Sequence, residues 1–415
     1  MELLNKVYQA KERIKNVVIH TSLMKNRNLS EEHSAQIYLK REDLQPVRSY
    51  KLRGAYNKIA SLSNEEKLRG VVCASAGNHA QGVAYTCNML NIKASIFMPV
   101  TTPPQKTKQV KFFGKDKVDI VLKGDSLDEA FEAANQFCEE VGAVFIHPFD
   151  DEDIIAGQGT IGLELLEDSI KPIDYIFVPI GDGGLASGII TVFKQLSPNT
   201  KIIGVEPKGA ASMKVSIEKG AKTTLEHTDD FVDGAAVERP GDITYEICKT
   251  NLDDIILVPE GKVSTTILRM YNEEAIVVEP AGALTISALD FYKKEIKNKN
   301  VVCIVSGSNN DITRMQEIKE RSLLYEGFKH YFLVQFPQKP GVFKEFVNDV
   351  LGPTDDIVYF QYSEKNNRES GPAVVGIELK NPHDLYRIEE QLKHKKITYT
   401  YLNEQTDLFI TLTPH

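Results

Sequence analysis

Ser49-Tyr50-Lys51-Leu52-Arg53-Gly54-Ala55, followed further on by Ser75-Ala76-Gly77-Asn78-His79-Ala80-Gln81-Gly82, decides how this chain is read. Lys51 follows an aromatic residue and opens a segment in which Leu52, Ala55, Tyr56, Ile59 and Ala60 recur at helical spacing. An amine at a helix start beside an aromatic ring can lose its charge through desolvation and become a nucleophile able to form a Schiff base. A lone lysine is ordinarily just a solvated helix residue, so the second stretch carries the weight. Gly70 to Ala74 reads as a buried strand, Asn78 to Leu90 as a helix, and Ser75-Ala76-Gly77 as the turn between them. A strand, a small turn and a helix N-terminus aim backbone N–H groups and a partial positive charge at one point. That point suits a carboxylate or a phosphate. Asn78 adds an amide able to donate to an oxygen or a ring hydroxyl.

Outward from this centre, short aliphatic runs alternate with helical pattern. The runs are Ile37 to Lys40, Ala94 to Met98, Val118 to Leu122, Ala143 to Ile146, Tyr175 to Pro179, Ile202 to Val205, Ile255 to Val258 and Val301 to Val305. Non-alternating strands interleaved with helices predict a mostly parallel sheet covered on both faces. Thr102-Pro103 predicts a helix through Phe113, and Ser126 with Glu129 predicts a capping box before a helix ending at Val141. From Lys329 the pattern changes. Alternating runs at Tyr331 to Phe336, Ile357 to Tyr362, Ala373 to Leu379 and Thr398 to Leu402 enclose helical patterns at Gly341 to Val350 and Pro382 to Leu392. The order β-α-β-β-α-β is the ferredoxin-like arrangement.

Two further turns carry chemistry. Ile180-Gly181-Asp182-Gly183-Gly184-Leu185 links a strand to a helix of small residues, and glycines there let backbone amides close on a phosphate. Alone, such a turn is as often a tight connection. Ser306-Gly307-Ser308-Asn309 follows the strand at Val301 to Val305 and alone reads as a helix cap. Glu206-Pro207, with Ala210 and Ser212, by itself reads as a surface turn. Glu279-Pro280-Ala281-Gly282 by itself reads as a plain cap, and His79 reads as structural.

The pair S-Y-K-L-R-G-A and S-A-G-N-H-A-Q-G-V-A resembles the signature of the fold-type II pyridoxal-phosphate enzymes, and within them the threonine dehydratases. The likeness runs from Tyr38-Leu39-Lys40-Arg41-Glu42 to Ser306-Gly307-Ser308-Asn309. It implies an α/β fold like that of tryptophan synthase β, with mostly parallel sheets, and a C-terminal ferredoxin-like (ACT-like) α+β domain. Residues 1–326 would be catalytic, with a small subdomain at roughly 48–150 inserted in the large one, and residues 327–415 regulatory.

The same resemblance assigns residues. Lys51 would hold pyridoxal 5'-phosphate and act as base, with Tyr50, Asn78 and Ser306 around the ring. Gly181, Asp182, Gly183, Gly184 and Leu185 would hold the phosphate. Ser75, Ala76, Gly77 and Asn78 would hold the substrate carboxylate. The family has four glycines before the leucine, and Asp182 departs from that pattern. A carboxylate there is expected to turn outward and present only its amide. Glu206-Pro207, with Ala210 and Ser212, loosely resembles a cation site of related enzymes, and Glu279-Pro280-Ala281-Gly282 resembles a helix start beside their site. A serine facing the pyridine nitrogen cannot protonate it, which favours β-elimination over transamination or racemisation. The implied reaction is deamination of L-threonine to 2-oxobutanoate and ammonia, opening isoleucine biosynthesis. Isoleucine is the implied effector, with valine as a second candidate, and a homotetramer the implied assembly. Two rivals share these features: a serine dehydratase or racemase of the same fold, and a non-catalytic cofactor-binding amino-acid sensor, which Asp182 brings into view.

Composition limits the rest. At 415 residues with 42% hydrophobic and 26% charged residues, the chain suits two or three globular domains. A net charge of −9 with no long basic run argues against nucleic acid. No apolar run reaches the roughly 20 residues of a membrane span. Met1 to His20 lacks a signal peptide's apolar core. Five cysteines without a C-x-x-C pair, mostly in apolar runs, suit buried thiols in a reducing cytoplasm. No His/Cys group has transition-metal spacing.

Overall fold

Aliphatic runs that do not alternate need cover on both faces of a sheet, and the fold supplies it. The computed structural model describes residues 1–362 and 370–413. Its strands are β1 (Leu23–Lys25), β2 (Gln36–Arg41), β3 (Val71–Ala74), β4 (Ala94–Met98), β5 (Val118–Leu122), β6 (Val144–Phe145) and β7 (Tyr175–Pro179). Then follow β8 (Lys201–Pro207), β9 (Asp254–Val258), β10 (Asn300–Val305), β11 (Lys329–Pro337), β12 (Asp356–Tyr362), β13 (Ser370–Glu378) and β14 (Thr398–Tyr401). Contacts divide the chain into residues 1–311 and residues 312–415.

The first unit holds two sheets. One has the order β1-β2-β10-β7-β8-β9 and is parallel except where β1 pairs with β2; the other, β5-β4-β3-β6, is parallel throughout. Helices Glu152–Asp168 and Gly184–Leu196 bury Ile161, Leu165, Ile189 and Phe193 against Ile176 and Val302 of the larger sheet. Helices Lys51–Ser61 and Asn78–Leu90 bury Leu52, Ile59 and Val83 against Cys73 and Ile96 of the smaller one. β1 escapes the sequence reading because three residues carry no period. The capping box at Ser126 is only half formed. Ser126 Oγ accepts from Glu129 N at 3.2 Å, but the Glu129 carboxylate takes Asp125 N, one residue earlier, at 2.8 Å. Ser63 and Glu66 form the full reciprocal box instead.

In parallel sheets, ligands gather beyond the carboxyl ends of the strands. β7 and β10 are parallel neighbours, so the turns after Pro179 and Val305 leave the sheet at the same edge. The lysine segment is tied to that edge by its backbone. Tyr50 N donates to Ser306 O at 3.1 Å, Ser308 N donates to Arg48 O at 2.9 Å, and Ser49 pairs antiparallel with Gly307. Motifs far apart in the chain meet here because two strand ends and one antiparallel bridge converge.

The second unit carries the antiparallel sheet β12-β13-β11-β14, the strand order of a ferredoxin-like module. Helices Val342–Asp349 and Asp384–His394 place Phe346, Ile388 and Leu392 on Phe332, Phe336 and Val375. All five cysteines are free thiols, Cys138 half-buried and the others buried. Among the described residues no helix is long and apolar enough to cross a membrane.

Candidate active site

Lys51 is the first residue of its helix, and its side chain reaches the turn after β7. Lys51 Nζ donates to Asp182 Oδ2 at 2.7 Å and to Pro148 O at 3.1 Å. It also lies 5.5 Å from the centre of the Tyr50 ring. Both acceptors are braced. The turn at Pro148 is folded around His147, whose Nδ1 accepts from Phe149 N and Asp150 N at 3.2 and 2.8 Å. The Asp150 carboxylate caps the helix Asp242–Asn251, taking Asp242 N, Ile243 N and Thr244 N. Thr244 Oγ1 then donates to Asp182 O at 2.8 Å. A closed circuit of hydrogen bonds thus fixes both partners of the lysine.

Two expectations are corrected here. The amine does not lose its charge. Desolvation pulls its pKa down, but the Asp182 carboxylate and the Tyr50 hydroxyl outweigh it and hold the ammonium well above the lysine range. Nor does Asp182 face outward. Besides Lys51 it takes Gly184 N with Oδ1 at 2.9 Å, at the start of the helix Gly184–Leu196. A carboxylate turns inward here because an ammonium and a helix N-terminus both attract it. Desolvation raises the Tyr50 phenol above its ordinary range.

The Ser75 turn forms the site's second wall. Ser75 Oγ accepts from Gly77 N at 3.2 Å, and a side chain at Gly77 would meet nothing within 4 Å, so the turn borders open space. Asn78 opens the next helix and donates Nδ2 to Glu279 Oε1 at 2.7 Å. Its Oδ1 accepts from Asn309 Nδ2 at 2.7 Å. Ser306 is buried, its carbonyl held by Tyr50 N. Leu185 packs its side chain into the core, which leaves its backbone in the first turn of the glycine-led helix.

The remaining candidates fall into place. His79 is structural: its Nε2 donates to Ile146 O at 2.9 Å, and desolvation pushes its pKa down to about 3. Glu206 is no surface turn. It is fully buried, accepts from Met213 N and Lys214 N at 2.8 and 2.9 Å, and desolvation lifts it to about 7. Glu279 does not cap its own helix but reaches across to Asn78 and Asn309. Its signal in the sequence is slight, since an acidic residue before proline is common at helix starts. Among the described residues one group, Glu32, His33 and Asp290, brings metal-type ligand atoms within 4.8 Å of one another. Lys262 and Lys293 already hold Asp290, and Arg269 holds Glu32.

The cradle suits an anionic head beside an amine-reactive group. Gly183 has φ +87°, and a Cβ there would come within 2.8 Å of Met213 and 3.1 Å of Thr244, so only glycine fits the turn. Behind it, the first amides of the helix Gly184–Leu196 form an anion site, and Lys51 adjoins them through Asp182. A phosphate-bearing aldehyde fits this arrangement, provided Asp182 releases the Gly184 amide.

Comparison with known proteins agrees. The family model described as pyridoxal-phosphate dependent enzyme matches residues 14–307, and that of the C-terminal regulatory domain of threonine dehydratase matches residues 320–412. The chain is similar to the biosynthetic L-threonine dehydratases of Halalkalibacterium halodurans, 56% identical over 96% of each chain, and of Bacillus subtilis, 55% identical over 97% of this chain and 96% of that one. Among solved structures it resembles the processed threonine deaminase isoform 2 of Solanum lycopersicum, with a TM-score of 0.73 and 42% identity over 77% of this chain and 93% of that one. It also resembles maize serine racemase, with a TM-score of 0.72 and 32% identity over 78% of this chain and 98% of that one.

Proposed function

The chain belongs to the pyridoxal-phosphate-dependent enzymes, in their threonine dehydratase branch, and from that membership we propose how its own residues perform the reaction. The enzyme deaminates L-threonine to 2-oxobutanoate and ammonia with pyridoxal phosphate as cofactor, the first step of isoleucine biosynthesis. When bound, the cofactor supplies the carbonyl that takes up the amino group and the conjugated ring that accepts the Cα electrons. The observation that carries the assignment of roles is the lysine amine lying against the glycine cradle through one carboxylate.

Lys51 would hold the cofactor through Nζ and, when free, would take the Cα proton on the same atom. Asp182 and Pro148 O stabilise the ammonium that results, which adds driving force to the proton transfer. With Gly184 N released by Asp182, amides of Gly181 to Leu185 would hold the phosphate, and those around Ser75 to Asn78 would orient the carboxylate in the open space beside Gly77. Asn78 would donate to the cofactor's ring hydroxyl. Ser306 would face the ring nitrogen with a hydroxyl too weakly acidic to protonate it, which would keep the ring a modest electron sink and favour loss of the β-hydroxyl. Tyr50 packs beside the amine, and its hydroxyl helps hold the ammonium.

Residues 1–326 form the catalytic part and residues 327–415 the regulatory part in this reading. The regulatory domain answers to isoleucine, with valine as the second candidate, in a cytoplasmic homotetramer. The ferredoxin-like module supports a regulatory role for the second part, and the free thiols a reducing compartment. The test is a keto-acid assay on the purified protein with threonine, with serine as comparison and D-serine formation as the control for racemisation. Release of 2-oxobutanoate with no racemisation is expected. Isoleucine should shift half-saturation by roughly 5- to 150-fold, the range of a coupling of about 1–3 kcal/mol. A hyperbolic response indifferent to both isoleucine and valine would overturn the regulatory proposal while leaving the catalytic one standing.

A further inference from the structure

Glu279 is almost wholly buried, at 5% exposure, directly before Pro280, yet it makes no side-chain bond to the helix Pro280–Ser287 that it introduces. Its carboxylate spans two other segments. Oε1 accepts from Asn78 Nδ2 at 2.7 Å, and Oε2 accepts from Asn309 N at 3.0 Å. Asn309 closes the triangle, its Nδ2 donating to Asn78 Oδ1 at 2.7 Å and to Val47 O at 2.9 Å.

The chemistry of the donors fixes one orientation. Val47 O can only accept, so Asn309 turns its NH₂ there and toward Asn78 Oδ1, which leaves the Asn78 NH₂ to face Glu279. A flipped Asn78 would set its NH₂ against that of Asn309. One N–H of Asn78 remains, and its direction is set. The peptide between the two partners is equally constrained. A Cβ at Gly307 would lie 2.4 Å from Glu279 Oε1, so the chain passes the carboxylate only as glycine. Burial of a carboxyl that caps nothing is costly without a purpose elsewhere. Desolvation first, then the nearby Asp233, push it up to about 7, with the hydrogen bonds from Asn78 and Asn309 and the charge of Lys106 acting the other way. Lys106 itself pairs with Asp233 at 2.7 Å.

We propose that Glu279 is a positioning residue for the cofactor ring: together with Asn309 it locks the Asn78 amide so that its one free N–H meets the ring hydroxyl. The inference rests on the role given to Asn78 above and extends it to a residue that touches neither substrate nor cofactor.

The experiment titrates apoenzyme with pyridoxal phosphate, following the visible band of the lysine-bound cofactor, for the wild type, Asn78→Ala, Glu279→Ala and Glu279→Gln. Loss of one oriented hydrogen bond corresponds to about a tenfold change. Glu279→Ala should weaken cofactor binding about tenfold and lower kcat, with KM for threonine changed by less than about threefold. Glu279→Gln retains an acceptor for Asn78 Nδ2 and should recover most of the affinity. Should Glu279→Ala not fold, Glu279→Asp withdraws the carboxylate by one methylene and carries the same expectation. If Asn78→Ala loses affinity while both Glu279 variants bind as the wild type does, the inference is overturned and the role of Asn78 stands. If Asn78→Ala binds normally, the role of Asn78 itself is wrong and the inference falls with it.

Discussion

Lys51 and Arg53 leave the same helix two residues apart, and the interior receives their charges in opposite ways. Arg53 is wholly enclosed. It gives Nε and Nη2 to Glu42 at 2.8 Å each, and Nη1 and Nη2 to Glu164 at 2.6 and 2.9 Å. Thr160 and Ile19 O take what remains. Lys40 Nζ extends the network to Glu164 at 2.6 Å and Thr21 O at 2.7 Å, with Asp168 at 3.7 Å, so each buried cation is surrounded by acceptors. Lys51 has one carboxylate and one carbonyl, and the side chains of the pair keep 10% and 12% exposure, against none for Arg53 and Glu42. A closed buried network can only hold its elements together. A buried pair left open on one side can exchange partners, which is what a catalytic lysine has to do.

Substitutions should separate the two. Lys51→Ala is expected to lower turnover by about 10⁴-fold or more, with the visible cofactor band lost. Its folding stability should stay close to that of the wild type, because Asp182 keeps Gly184 N and some access to water. Borohydride reduction of the loaded wild type, followed by peptide mapping, should place the label on Lys51; a label on another lysine breaks the comparison at once. Arg53→Met should do the reverse. It leaves Glu42 in the core without a cation and Glu164 with Lys40 alone, and is expected to cost about 3–5 kcal/mol, read from the denaturant midpoint at unchanged slope. If it unfolds no more easily than the wild type, the closed network is not what anchors the helix.

Asp182→Gly sharpens the contrast from the open side. A carboxylate about 4 Å from a phosphate charge costs on the order of 4 kcal/mol per unit pair at an effective dielectric of 20. Inward-facing Asp182 should therefore weaken cofactor binding, and the glycine variant should bind at least about tenfold tighter in an apoenzyme titration. Equal affinities would mean that the carboxylate swings clear when the phosphate enters.

The smallest effect concerns Glu206, whose hydrogen-bond partners among the described residues are two backbone amides. Burial raises its pKa from 4.5 to about 7, so the folded state binds the proton more tightly than the unfolded one. Its contribution is therefore fully present below pH 4.5 and is lost as pH rises to about 7. Each tenfold difference in proton affinity between the two states is worth about 1.4 kcal/mol, or about 1.6 °C in a chain of this size. Between pH 5 and 8 the melting temperature of Glu206→Gln should fall about 3 °C less than that of the wild type. Parallel curves would show that the amides of Met213 and Lys214 cancel the burial.

By itself the sequence determined the elements and the family. Unalternating runs such as Val301 to Val305 have no use outside a covered sheet, and the change of period after Lys329 marks a different kind of sheet. Lys51, the Ser75 turn and the glycine turn were legible because backbone chemistry is local: a strand end, small residues and a helix start lie within a few positions of one another. Side-chain direction and charge state were not. The inward turn of Asp182, the raised pKa of Lys51 and the reach of Glu279 to Asn78 all depend on partners more than a hundred residues away. Only tertiary structure brings those partners within 3 Å, and in a poorly solvated interior that distance decides which way a carboxylate points and whether an amine keeps its proton.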